Sequence, residues 1–251
     1  MDSNVAIALI IFLATVVRST FGFGDALLAM PLLTILLGVK VAAPFFAWLS
    51  SSVAILILVS SWSEVDFRSA KRLIVASIIG IVLGILLLKN VPETTITLAL
   101  GSFLILFGSY RLIQSELRQL KNPNWAYLFG FISGVLNGAY NTGGPPVVIY
   151  GTLSKWEGDR FRATLQSCFV VTGFIVIIGH GLAGLWTTEI FKLYGINFPV
   201  VLIATFIGSK FNKHIPAERF ENLIFIAFII LGILLIAQNP NIKAIINNYS
   251  P

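Results

Sequence analysis

Charged side chains are scarce. They make up 11% of the 251 residues, where a soluble domain carries about 25%, so an ordinary soluble fold is excluded. Disorder is excluded as well. It needs low hydrophobicity and high charge, whereas 57% of this chain is hydrophobic and its mean hydropathy is +0.90. Cysteine occurs once, at Cys168, which rules out a disulfide framework and any multi-cysteine metal or iron–sulfur site. The two histidines, His180 and His214, lie far apart, so no metal centre is expected; His180, near a helix end, is read as interfacial rather than as a ligand. Seventeen Lys and Arg against eleven Asp and Glu give a net charge of +6. In a chain this apolar, the excess marks cytoplasmic loops rather than nucleic-acid binding. No P-loop, no HExxH pair and no Ser/His/Asp arrangement with supporting context occurs, so neither catalysis nor a cofactor is expected. The start, Met1-Asp2-Ser3-Asn4, lacks the basic region of a secretory signal peptide, and the run that follows is read as part of the mature protein.

What the chain does have is long apolar runs. They fall at about 5–20, 26–37, 41–61, 73–88 and 94–110, and again at 125–140, 145–153, 163–182, 195–209 and 220–237. Strand alternation is absent, which leaves helices as the spanning structure. Five runs, a polar stretch from Arg111 to Asn124, then five more runs suggest a duplication. Gly84, Lys89, Pro92 and Gly108 recur 124 residues later as Gly208, Lys213, Pro216 and Gly232. A glycine-rich break opens each half, Phe21-Gly22-Phe23-Gly24-Asp25 and Tyr140-Asn141-Thr142-Gly143-Gly144, at an offset of 119. The expected units are residues 1–113, a cytoplasmic linker at 114–123, and residues 124–251.

The first two runs of each half are short. Residues 26–37 reach only about 18 Å as a helix, and a bilayer needs about 30 Å. Each pair is therefore a broken helix or a hairpin dipping into the membrane. Charge separates the two. If each pair returns to its starting side, twelve basic residues gather on one face: Arg68, Lys71, Arg72, Arg111, Arg118, Lys121, Lys155, Arg160, Arg162, Lys210, Lys213 and Arg219. Four remain opposite, Lys40, Lys89, Lys192 and Lys243, and Arg18 lies within the membrane. If each pair crosses once, the split is eight against eight. The positive-inside rule prefers the first arrangement, and run length favours a hairpin over two full crossings. The expected fold is thus an all-α polytopic membrane protein of two inverted repeats, each a broken or re-entrant helical hairpin plus three transmembrane helices. Both termini fall outside. Inverted repeats with broken helices at mid-depth characterise secondary transporters.

The segment Gly22-Phe23-Gly24-Asp25-Ala26-Leu27-Leu28-Ala29-Met30-Pro31-Leu32-Leu33 resembles the first motif of the TauE/SafE sulfite-exporter family. The second motif resembles Gly134-Val135-Leu136-Asn137-Gly138-Ala139-Tyr140-Asn141-Thr142-Gly143-Gly144-Pro145-Pro146. The likeness covers essentially the whole chain. Asp25 stands where that family usually has glycine, and Asn141 replaces the first glycine of the second turn. The resemblance implies a bacterial inner-membrane permease that exports small sulfur-containing anions such as sulfite or organosulfonates. The alternative is a passive anion channel, or a permease for another small organic anion.

The residues carry their own reading. Helix N-termini at the two tips attract anions, which nominates Gly22, Gly24, Gly143 and Gly144. Tyr140, Asn141 and Thr142 add neutral hydrogen-bonding groups, and Asn137 aligns with Arg18 at the 119 offset. Arg18 grips an oxyanion with its planar fork, pairs with Asp25, or snorkels to the surface. Asp25 is an ion-pair partner or carries a coupling proton. Ser50, Ser51 and Ser52, and Gln166, Ser167 and Cys168 in the counterpart run, either line a path or hold helices together. Gly130-x3-Gly134-x3-Gly138 reads as a close-packing stripe. The expected partners are a small anion and membrane lipid, with coupling protons and a homodimer left open.

Overall fold

The computed structural model describes residues 3–113, 120, 122–156 and 158–211, together with 225–226, 229–234 and 236–237. Its helices are α1 (Ser3–Phe21), α2 (Asp25–Leu37), α3 (Val39–Val59), α4 (Phe67–Asn90), α5 (Glu93–Ile113), α6 (Trp125–Tyr140), α7 (Gly144–Leu153), α8 (Gly158–Leu182) and α9 (Thr188–Phe211), with a short 3-10 turn at Trp62–Glu64. The described residues 225–237 are helical too. No strand occurs among the described residues.

The elements begin and end where backbone chemistry requires. Gly22 and Gly24 adopt φ of +86° and +99°, a region in which a side chain costs energy, and the chain reverses there between α1 and α2. Asn141 caps α6 at φ +56°. Asparagine is among the few non-glycine residues that tolerate this conformation, which explains how it stands in a turn written for glycine. Asp25, by contrast, is the first residue of α2 and needs no glycine. Helix α4 stops at Asn90 because Val91 precedes Pro92 and is held extended, at φ −92° and ψ 142°. At its other end Asp66 accepts from the Arg68 and Ser69 amides and pairs with Arg160 at 3.0 Å. Partial burial pushes the Asp66 carboxyl up, but these hydrogen bonds and the Arg160 charge outweigh it and hold it below the ordinary aspartate value.

Five described helices are long and apolar enough to cross a membrane: Asn4–Phe21, Val39–Val59, Phe67–Asn90, Arg160–Leu182 and Thr188–Phe211. Their outer faces stay apolar, as at Ile79 and Val82 of α4 and Ile203 and Phe206 of α9, a surface suited to lipid rather than water. This is a multi-pass, all-helical membrane protein. Helix α1 is thus long enough to span alone, which the short-run reading did not anticipate. Helices α2, α6 and α7, of 13, 16 and 10 residues, fall short of the bilayer thickness.

The tightest crossing is between α4 and α6. A Cβ built on Gly134 would lie 2.8 Å from the Ser77 Cα, and one on Gly130 would lie 2.9 Å from the Leu73 Cα. From the other side, a Cβ on Gly84 would meet the Ala139 nitrogen at 2.9 Å. The two backbones are therefore in direct contact, as the sequence stripe suggests. The Ser77 hydroxyl donates to the Gly130 carbonyl at 2.8 Å. A second crossing joins α1 and α9, where a Cβ on Gly208 would lie 2.7 Å from the Val16 carbonyl. Gly208 is Gly84 plus 124, and the Gly84 side of the first crossing faces Val135, which is Val16 plus 119. The same small-residue contact thus appears twice, each time between one half and the other.

Candidate functional site

The two hairpin tips meet. A Cβ on Gly144, at the start of α7, would lie 4.0 Å from the Phe23 Cβ in the α1–α2 turn. Around this meeting point is a small, partly open cavity of about 30 Å³, enough for roughly two waters. Its wall includes Arg18, Phe23, Gly24, Asp25, Ser50 and Ser51 from the first half and Asn137, Asn141, Thr142, Gly144 and Phe169 from the second. Residues 119 apart line it in pairs: Arg18 with Asn137, Phe23 with Thr142, Asp25 with Gly144, Ala26 with Pro145, and Ser50 with Phe169.

Arg18 organises the wall. It is 2% exposed and sits one turn before the end of α1. A buried guanidinium requires charge compensation and acceptors, and it has both. Its Nη1 donates to the Asp25 Oδ2 at 2.7 Å and to the Ser50 carbonyl at 3.1 Å, with the Ser50 hydroxyl also accepting. Nε and Nη2 donate to the Gln166 Oε1 at 3.3 and 3.0 Å, and the Phe169 ring lies 5.0 Å beneath the guanidinium carbon. Nη2 carries two hydrogens and has one acceptor among the described residues, so one donor remains for a ligand. Arg18 therefore pairs with Asp25 and also faces the cavity.

Two further polar residues line the same space. The Ser51 and Thr142 hydroxyls are buried and have no hydrogen-bond partner among the described residues, although both residues line the cavity. Buried hydroxyls are ordinarily bonded. Helix α2 adds the amides of Asp25, Ala26 and Leu27 in its first turn. Helix α7 adds fewer, because Pro145 and Pro146 occupy its first turn and have no N–H.

Of the nine residues that the sequence nominates for substrate, Arg18, Gly24, Asn137, Asn141, Thr142 and Gly144 line the cavity, as does Asp25. Asn141 is partly committed, since its amide donates to the Ala43 carbonyl at 2.6 Å, and Asn137 donates to the Thr172 hydroxyl at 3.3 Å. The other three lie outside the wall. The Gly22 carbonyl accepts from the Gln166 amide at 2.6 Å. Gly143 packs on Ser133, whose hydroxyl donates to its carbonyl at 2.7 Å. Tyr140 belongs to the large apolar cluster around Met30 and Phe45. The three serines of α3 divide: Ser50 holds the ion pair, Ser51 faces the cavity, and Ser52 bonds Tyr194 at 3.0 Å. Cys168 is buried at 2% exposure. His180 stands in the last turn of α8. It is fully buried on the glycine stripe, with Nε2 3.1 Å from the Gly138 carbonyl, because that stripe leaves a backbone carbonyl open to a neighbour. No cluster of metal-binding side chains occurs among the described residues.

The family model for the sulfite exporter TauE/SafE matches residues 7–235. The chain belongs to the TauE/SafE family. That family is one of exporters rather than of enzymes. The chain is also similar to a protein described as a probable sulfite/organosulfonate exporter TauE of Cupriavidus necator, 24% identical over 152 residues. That alignment covers 59% of each chain, so this TauE/SafE member aligns with less than two thirds of its relative. No solved structure gives a match.

Proposed function

We propose that this TauE/SafE member is a secondary transporter of the bacterial inner membrane that exports small sulfur-containing anions, such as sulfite or organosulfonates, by alternating access between inverted halves 1–113 and 124–251. The observation that carries the reading is the cavity where the two hairpin tips meet, lined by the Arg18 guanidinium and by Ser51 and Thr142, whose hydroxyls have no partner among the described residues. A small oxyanion leaving water needs several donors at once, and this wall offers them. The residue pairs 119 apart around the cavity, and the paired glycine crossings, support the repeat. The cavity volume favours a compact head group, and a longer sulfonate tail requires the tips to part.

In proteoliposomes, a gradient of sulfite should drive saturable uptake that a compact sulfonate inhibits. Non-saturating, voltage-driven flux would make the protein a channel instead, and no flux of either anion would end the anion reading. The inverted arrangement has its own check. Single cysteines introduced at 64–72, 112–122, 155–161 and 211–218 should label from the cytoplasmic side, and cysteines at both termini from outside. A cytoplasmic C-terminus would overturn the inverted repeat.

A further inference from the structure

We propose that Asp25 is a charge filter, restricting the central cavity to anions that carry a single negative charge, which for sulfite is the hydrogensulfite form. This inference rests on the anion reading above and adds the charge class of the substrate. Among the described residues, Arg18 and Asp25 are the only ionisable side chains on the cavity wall, and their charged atoms are 2.7 Å apart. The wall therefore has no net full charge. What it offers an anion is dipolar: one Nη2 hydrogen of Arg18, the first-turn amides of α2, and the Ser51 and Thr142 hydroxyls, which lack partners among the described residues.

Such a wall can compensate one negative charge spread over several oxygens. A second charge changes the balance, because the Born cost of moving an ion out of water grows with the square of its charge and is roughly four times larger for a dianion. Dipoles do not offset that, and the one cation is already neutralised. The Asp25 carboxylate also repels the ligand directly and occupies the positive end of α2, where an anion would otherwise sit. Nothing in the turn requires an acidic residue there, since Gly22 and Gly24 make the reversal. The carboxylate's distinctive contribution is its charge.

The test compares two compact tetrahedral sulfur oxyanions of fixed charge, methanesulfonate and sulfate, by calorimetry on the purified full-length protein at one pH and ionic strength. Methanesulfonate should bind at least about tenfold more tightly than sulfate, the minimum expected for one uncompensated charge in a partly closed site. Asp25→Asn leaves Arg18 unneutralised, and the ratio should then fall by about tenfold or invert. Asp25→Glu keeps the charge and should keep the ratio, which a purely steric role for Asp25 would not. Sulfate binding as tightly as methanesulfonate to the unaltered protein overturns the filter, and this readout stands even if Asp25→Asn does not fold. An unchanged ratio in a folded Asp25→Asn protein overturns it too. If neither anion binds the unaltered protein, the anion reading itself fails and takes the filter with it.

Discussion

Arg18→Gln should destabilise the protein by about 3–5 kcal/mol, the range for stranding one partner of a buried ion pair. The carboxylate left behind belongs to Asp25, 6% exposed, with the Ser50 hydroxyl at 3.2 Å as its remaining donor among the described residues. Asp25→Asn should cost less. It leaves the guanidinium with the Ser50 carbonyl, the Gln166 oxygen and the Phe169 ring. The double variant Arg18→Gln/Asp25→Asn replaces two charges with two amides and should recover most of the loss, because exchanging a buried pair for neutral groups is often near neutral. Thermal unfolding of the four proteins in one detergent checks this as a double-mutant cycle. Anion affinity separates the roles. If Arg18 only holds Asp25, the double variant should bind as the parent does. If its free Nη2 donor touches the anion, the restored fold should still bind about ten- to a hundredfold more weakly, the equivalent of one charge-assisted hydrogen bond.

The second large effect is expected at the α4–α6 crossing. Gly134→Ala places a methyl group 2.8 Å from the Ser77 Cα, and backbone cannot swing aside as a side chain can. The helices must separate, and contacts on both sides of the crossing loosen with them. Overpacking of this kind costs about 1–3 kcal/mol and sometimes more. Gly134→Leu should abolish the folded species in size-exclusion chromatography. The control is Gly195→Ala on α9, where an added Cβ meets nothing within 4 Å. That change should be neutral or stabilising by up to about 1 kcal/mol, since alanine is the better helix former. Equal losses at both positions would mean that the stripe at 130–138 is not a packing surface.

The contrast between these two sites shows what the sequence reveals. The glycine stripe is legible because helix-helix contact in a membrane uses a spacing of four and a residue without a side chain, and both are written in the chain. The breaks at Gly22 to Gly24 and at Asn141 to Gly144 are legible for a similar reason, since the backbone conformation selects the residue. The ion pair is one of three readings that the sequence allows for Arg18, since seven residues of separation across a turn permit it. Gln166 shows the limit. It anchors both the Arg18 guanidinium and the Gly22 carbonyl from a helix 148 residues away, and no local pattern predicts a partner at that distance. Its signal was thermodynamic: an amide within an apolar run must find partners once buried. Tyr140 shows the opposite case. It sits beside the turn in sequence, but its ring goes to the apolar cluster around Met30, where an aromatic side chain gains most from burial.

The two glycine crossings also set an order of assembly during synthesis. Gly80 and Gly84 of α4 have no surface to close on until α6 has emerged, and Val16 of α1 waits for Gly208 of α9. Between the end of α1 at Phe21 and the start of α9 at Thr188 lie 167 positions (188 − 21), a delay of roughly 8–33 s at ribosomal speeds. For that interval the α1 groove stays open to lipid, whereas the α4 groove closes as soon as α6 has emerged. A chain truncated near residue 113 would therefore not be a smaller version of the protein. It would be an intermediate, with the docking grooves for its missing half still exposed.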